Sequence, residues 1–206
     1  MDTAVRKAKA PPDRSGWPLV LRLRPALDLT EEQFYEFCQL NRDLRLERNA
    51  EGELLVMPPT GWGAGHRNLE ISRQLANGAI ENGTGYGCDS STGFRLPNGA
   101  VRSPDAAWLP KEKVPHFSAH QRDRFLPVCP DFVLELWSPS DRLSDVQAKM
   151  EEYLANGARL GWLLYPPERR VYVYRPGVSV EQLNNPETLA GDPVLPGFVL
   201  DLRRVW

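Results

Sequence analysis

The chain contains no apolar run approaching the ~20 residues that cross a bilayer, so no membrane-spanning helix is expected among its 206 residues. Cysteine is scarce. Cys38, Cys88 and Cys129 are scattered, odd in number and never in C-x-x-C spacing, which excludes a disulfide framework and a cysteine zinc site. A reducing cytoplasm is the compartment this usage fits. An excess of either charge is also missing: 25 Lys+Arg against 27 Asp+Glu leave a formal net charge of -2, so no whole-molecule field advertises a polyanionic partner. TGWGAG lacks both the Lys-Ser/Thr and the preceding strand of a phosphate or dinucleotide loop, and no Ser-His-Asp arrangement stands out. Residues 1–18, MDTAVRKAKAPPDRSGWP, have no apolar stretch of a secretory signal. They read as a flexible arm whose Arg and Lys either touch a polyanion or are simply solvated.

What is present is an ordinary globular balance, 41% hydrophobic and 25% charged, at a length that suits one domain over residues 19–206. VLRLRP reads as a short strand, and LTEEQFYEFCQL as a helix capped by Thr30 with Phe34, Phe37 and Leu40 at helical spacing. LRLERNAEGELLVM is a hairpin in which Leu44 and Leu46 alternate with charges and NAEG turns. After the Gly-rich loop TGWGAGH, a helix runs from about His66 to Ile80, with Leu69, Ser72, Leu75, Ala76, Ala79 and Ile80 on one side. STGFRLPNGAVRSPDAAWLP supplies two extended arms about a Pro-Asn-Gly turn, and residues 111–129 are irregular. DFVLELW is a strand buried on both faces, DVQAKMEEYLANG a helix stopped at Gly157, and ARLGWLLYP with RRVYVYRP a strand pair across PPE. The final VLPGFVLDLRRVW is a further strand, packed on the sheet or on a partner chain. The layout is α/β or α+β.

One carboxylate is costly where it stands. Glu135 projects between bulky apolar neighbours on its strand, and such a charge must be paired or bind a metal. A structural ion pair with an arginine is the plain alternative. Asp105, fixed behind Pro104, lies in a second strand-like segment and is either a turn residue or the other half of a cation site. Lys149 sits at the edge of the helical stripe Leu143, Val146, Met150, Tyr153, Leu154, where it either snorkels or turns its ammonium toward Glu135. His66 heads a helix, as a cap or a phosphate contact, and Glu70 follows one turn later but off the apolar side. His116 and His120 have no ligand-like partners, and Asp141 and Asp145 read as helix-start residues.

TGFRLPNGAVRSPDAAW, PDFVLELWSPSDR, Lys149 and YLANGARLGWLLYP with VYVYRP resemble, in that order, the Uma-two family of restriction endonucleases within the PD-(D/E)XK nuclease superfamily. The resemblance implies a restriction-endonuclease-like fold, a central mixed β-sheet flanked by helices. It places the family's PD aspartate on Asp105 and its strand carboxylate on Glu135. Trp137 stands where the superfamily's E-x-K lysine would be, so that role passes to Lys149. The acid of the first core helix maps to Glu70, and His66 matches a histidine typical of that helix start.

The expectation is therefore a Mg²⁺- or Mn²⁺-dependent endonuclease hydrolysing DNA, with Asp105, Glu135 and the carbonyl of Leu136 at the metal and Lys149 assisting. The rival is a catalytically inactive nuclease-fold module that binds nucleic acid or a protein partner; a transposon- or toxin-associated partner protein is a third class. A homodimer is expected, paired through the C-terminal strand ending in Trp206 or through the Tyr-rich VYVY edge.

Overall fold

The computed structural model describes residues 18–206. The expected arm, residues 1–18, lies outside the described residues apart from Pro18. The elements in chain order are β1 (Leu19–Leu21), α1 (Glu31–Leu40), β2 (Arg45–Arg48), β3 (Leu54–Met57), α2 (Trp62–Asn82), β4 (Gly85–Asp89), β5 (Phe94–Arg95), β6 (Val101–Arg102) and β7 (Ala106–Pro110). They continue with α3 (Ala119–Arg122), β8 (Phe132–Leu136), α4 (Leu143–Ala155), β9 (Leu160–Tyr165), β10 (Arg170–Tyr174), β11 (Glu181–Asn184), β12 (Thr188–Ala190) and β13 (Val199–Asp201).

Among the described residues the strands form a six-stranded sheet in the order β11-β10-β9-β8-β7-β4, a five-stranded sheet β1-β3-β2-β6-β5, and the pair β12-β13. The larger sheet is mixed. β8 and β9 run parallel, which requires a crossover, and α4 is that crossover. DFVLELW is buried on both faces as expected: Phe132, Leu134 and Leu136 join one core cluster with Ile71, Leu75 and Ala79 of α2, while Val133 joins another with Met150 and Tyr153 of α4. A third cluster of Phe34, Leu46, Leu54, Val56 and Val101 seats α1 on the smaller sheet. Thr30 caps α1 through a reciprocal box with Gln33. No helix among the described residues is long and apolar enough to cross a membrane.

Several expectations are corrected. α2 begins at Trp62, so most of the Gly-rich segment is helix rather than loop. Its buried side runs through Ile71, Leu75 and Ala79, whereas Leu69 and Ile80 are exposed. The helix carries apolar residues on more than one side, and packing against β4, β7 and β13 selects the one that is buried. Leu40 of α1 is exposed for the same reason: α1 meets the core through Phe34, Phe37 and Cys38. The C-terminal strand β13 pairs with β12 and puts Leu200 in the core cluster of Phe132, Leu134 and Trp162 of the main sheet, as one of the two expectations for this segment had it, and Trp206 Nε1 donates to the Pro186 carbonyl. VYVY is not an edge, because β10 lies between β9 and β11. The VYVY edge expected to pair across a two-fold axis is thus occupied within the chain.

Candidate active site

The two carboxylates of the site come from neighbouring strands. β7 and β8 are antiparallel with Ala106 opposite Leu134, and continuing that register by one residue sets Asp105 opposite Glu135. Asp105 ends its ladder with its side chain: Oδ2 accepts the Leu136 N–H at 2.9 Å, and Oδ1 lies 3.3 Å from Arg45 Nη2. Both acids line a solvent-open cavity of about 500 Å³, walled by Leu55 and Met57 of β3 on one side and by α4 on the other.

α4 presents Lys149, Glu152 and Tyr153 to this cavity and its floor, because residues three and four apart share a helix face. Lys149 Nζ is 2.8 Å from Glu135 Oε1, and the Tyr153 hydroxyl donates to the same oxygen at 3.1 Å. The snorkelling alternative for Lys149 is not what the structure adopts. Its ammonium also lies 2.9 Å from Oε1 of Glu47, a residue of β2 that the sequence reading passed over. Glu47 is 1% exposed; Arg102 Nη1 reaches its Oε2 at 3.1 Å and the Ser103 N–H its Oε1 at 3.0 Å. Arg102 is held in turn by Glu152 at 2.6 Å. The signal for Glu47 was weak, since in LRLER the charges alternate with leucines as they do on a solvent-facing strand.

The two glutamates titrate in opposite directions. Burial pushes the Glu135 carboxyl up, Lys149 pulls it part of the way back, and the like charges of Asp105 and Glu47 oppose that pull, leaving it at about 7. Burial works against ionised Glu47 as well, but Lys149, Arg102 and the Ser103 N–H hold it down at about 2. Lys149 is desolvated, yet its two carboxylates raise it above the ordinary lysine value.

Trp137, standing where a lysine was looked for, packs edge-on against Tyr165 at 5.0 Å and donates its indole N–H to the Asp141 carbonyl. Asp141 braces the same turn by accepting the Ser138 N–H at 2.8 Å. Leu136 lines the cavity and gives its N–H to Asp105. His66 and Glu70 are not among the lining residues. His66 is exposed and stacks on Trp62 at 5.3 Å, and Glu70 is bound to Arg73 and Gln74 on its own helix. No three His, Cys, Asp or Glu side chains among the described residues are grouped to hold a metal ion.

A family model described as "Putative restriction endonuclease" matches residues 31–203. The chain belongs to the Uma2 family. A crystal structure of a putative nuclease belonging to DUF820, from Anabaena variabilis, superposes with a TM-score of 0.72 at 18% identity, covering 86% of this chain and 97% of that one. The Uma2 chain therefore has a nuclease-like fold, as the resemblance implied. No curated protein matches it.

Proposed function

We propose that this Uma2 chain is a divalent-metal-dependent nuclease that hydrolyses phosphodiester bonds of DNA, with Asp105 and Glu135 as the protein ligands of the cation. The observation that carries the reading is the pair itself: two carboxylates opposed across adjacent strands in one cavity, one of them pushed up to about 7 by its burial. The donor set fits. Carboxylate oxygens suit Mg²⁺ or Mn²⁺ rather than a soft metal, and Mg²⁺ keeps several waters and takes few protein ligands, so two acids suffice. The 3.3 Å contact of Arg45 with Asp105 is the one a cation would replace.

A bound cation supplies Lewis acidity toward a phosphoryl oxygen and toward an attacking water. The protein's own part follows from the geometry. Asp105 is aimed by the Leu136 N–H, and its side chain lines the cavity. Lys149 gives two of its three N–H donors to glutamates, and the third is available to a phosphoryl oxygen, where it offsets developing negative charge. Tyr153 fixes the rotamer of Glu135 from behind. A second reading, an inactive module that binds nucleic acid or a protein, is favoured by one observation: both acids already have cationic partners, Arg45 and Lys149.

Purified protein with Mg²⁺ or Mn²⁺ on plasmid and single-stranded DNA decides between them. Cleavage is expected, with Asp105→Ala and Glu135→Ala each reducing it by about 100-fold or more, as for loss of a principal transition-state stabiliser. Absence of cleavage, or cleavage indifferent to both substitutions, overturns the proposal.

A further inference from the structure

Lys149 has two carboxylate neighbours at nearly equal distance, and they are held very differently. Both donors to Glu135, the ammonium and the Tyr153 hydroxyl, converge on one oxygen, Oε1. Glu47 is gripped at both oxygens, by a backbone N–H and Lys149 at Oε1 and by Arg102 at Oε2. The grip extends further, since Glu152 fixes Arg102 through Oε2 and receives the Asn98 amide at Oε1, 2.9 Å away. The carboxylate of Glu47 therefore cannot turn away without breaking a chain of charge-assisted hydrogen bonds in a buried place.

We infer that Glu47 is the positioning residue of the site: it anchors the Lys149 ammonium independently of Glu135, so that Glu135 can be given up to a cation while the lysine keeps its place. The purpose of the anchor rests on the nuclease reading; the anchor itself does not. A divalent cation held by Glu135 would weaken that carboxylate's pull on Lys149 and would repel the ammonium. A lysine stem has four rotatable carbons and swings readily to solvent when unpinned. Glu47 supplies the pin. It acts through Lys149 and not at the metal, because every oxygen it owns is already committed to a cation or an N–H.

The test uses the full chain and reads Lys149 directly, by amine acylation followed by mass spectrometry. In the wild type Lys149 is protected. Glu135→Gln, which imitates the loss of Glu135 to a cation, is expected to leave its acylation rate within about twofold of wild type, because the charge-assisted hydrogen bond to Glu47 still holds the ammonium. Glu47→Gln is expected to raise it at least about tenfold despite an intact Glu135, the equivalent of one charge-assisted hydrogen bond. Equal deprotection by both substitutions, or continued protection in Glu47→Gln, overturns the anchor. If Glu47→Gln gives no cooperative melt, Glu47→Asp keeps the charge beside Arg102 but withdraws it by one methylene, and the same release of Lys149 is expected.

Cleavage kinetics then read the purpose. Glu47→Gln should lower kcat by at least about tenfold with KM unchanged, and adding it to Lys149→Met should cost nothing more, because residues acting as a unit are non-additive. Additive losses show a merely structural role and overturn the inference. A chain that cleaves no DNA with either metal sinks the nuclease reading, while the acylation ratio still decides the anchor.

Discussion

Glu47 and Glu135 are the same residue type within hydrogen-bonding distance of the same ammonium, yet one is held acidic and the other is pushed toward neutrality. The difference is the number of positive partners set against equal burial. Glu135, raised from 4.5 to about 7, is ionised in the unfolded chain above pH 4.5 but keeps its proton in the fold up to about 7. Its contribution therefore lowers stability progressively from pH 4.5 to 7 and leaves it lowered above that. Glu47, lowered to about 2, works in the opposite sense: it stabilises above pH 4.5, and that support is lost as pH falls toward 2. Glu135→Gln should accordingly stabilise the metal-free protein at pH 8 by about 1–3 kcal/mol and give no gain at pH 4, as measured by urea unfolding at both values. A loss of stability at pH 8 would show that Lys149 outweighs burial at this position. Glu135 was legible in the sequence because a charge interrupts an apolar run, and Lys149 because it borders a helical stripe. Glu47 was not legible, because its partners lie 102 and 55 residues away and alternation alone assigns it to solvent.

At the scale of elements, local chemistry was readable wherever it acts over three or four residues. Thr30 with Gln33 marks the start of α1 in the sequence and is the cap observed. The start of α2 was missed because glycine is a poor helix former, and Gly61, Gly63 and Gly65 together read as a loop. Tertiary packing overrides that cost, and the earlier start changes the setting of two candidate residues. His66 falls in the second turn, facing outward onto Trp62, and Glu70 one turn later is within reach of Arg73. Neither had a local signal that could separate a cavity-facing position from an outward one. The helical reading of this segment has a direct consequence. A methyl group at Gly65 would meet nothing closer than Thr60 Cγ2 at 3.7 Å, so Gly65→Ala should recover helix propensity and stabilise by about 0.5–1 kcal/mol in thermal unfolding. A loop at this place would gain nothing from the substitution.

On the scale of the whole molecule, the site belongs to neither sheet alone. Glu47 and Arg102 lie on β2 and β6 of the five-stranded sheet, and Glu135 on β8 of the six-stranded one. Lys149 and Glu152 reach both from α4. The strand–turn–helix from β8 to α4 was legible as a unit, and with the family resemblance it carried the fold class. The docking of the smaller sheet against that unit left no trace in any local pattern, because it is made by long-range contacts: the ion pairs of Glu47 and Arg102, and the packing of Phe94, Leu96 and Ala100 with Val133, Met150 and Tyr153. Arg102 is the bolt of this joint. Its guanidinium is 10% exposed and bridges Glu47 to Glu152, so it tethers the smaller sheet to the helix that crosses the larger one. Arg102→Ala would leave two carboxylates facing each other, one of them 1% exposed, with only Lys149, Ser103 and Asn98 as partners. Breaking a buried pair from one side typically costs about 3–5 kcal/mol, against less than about 1 kcal/mol for a surface pair. Urea unfolding of Arg102→Ala should show a loss of about 3 kcal/mol, together with faster acylation of Lys149 under native conditions, because the anchor of the lysine has lost its own support. A loss below about 1 kcal/mol would place the guanidinium in effective contact with water and would mean that apolar packing, of Phe94, Leu96 and Ala100 with Val133, Met150 and Tyr153, is what docks the smaller sheet.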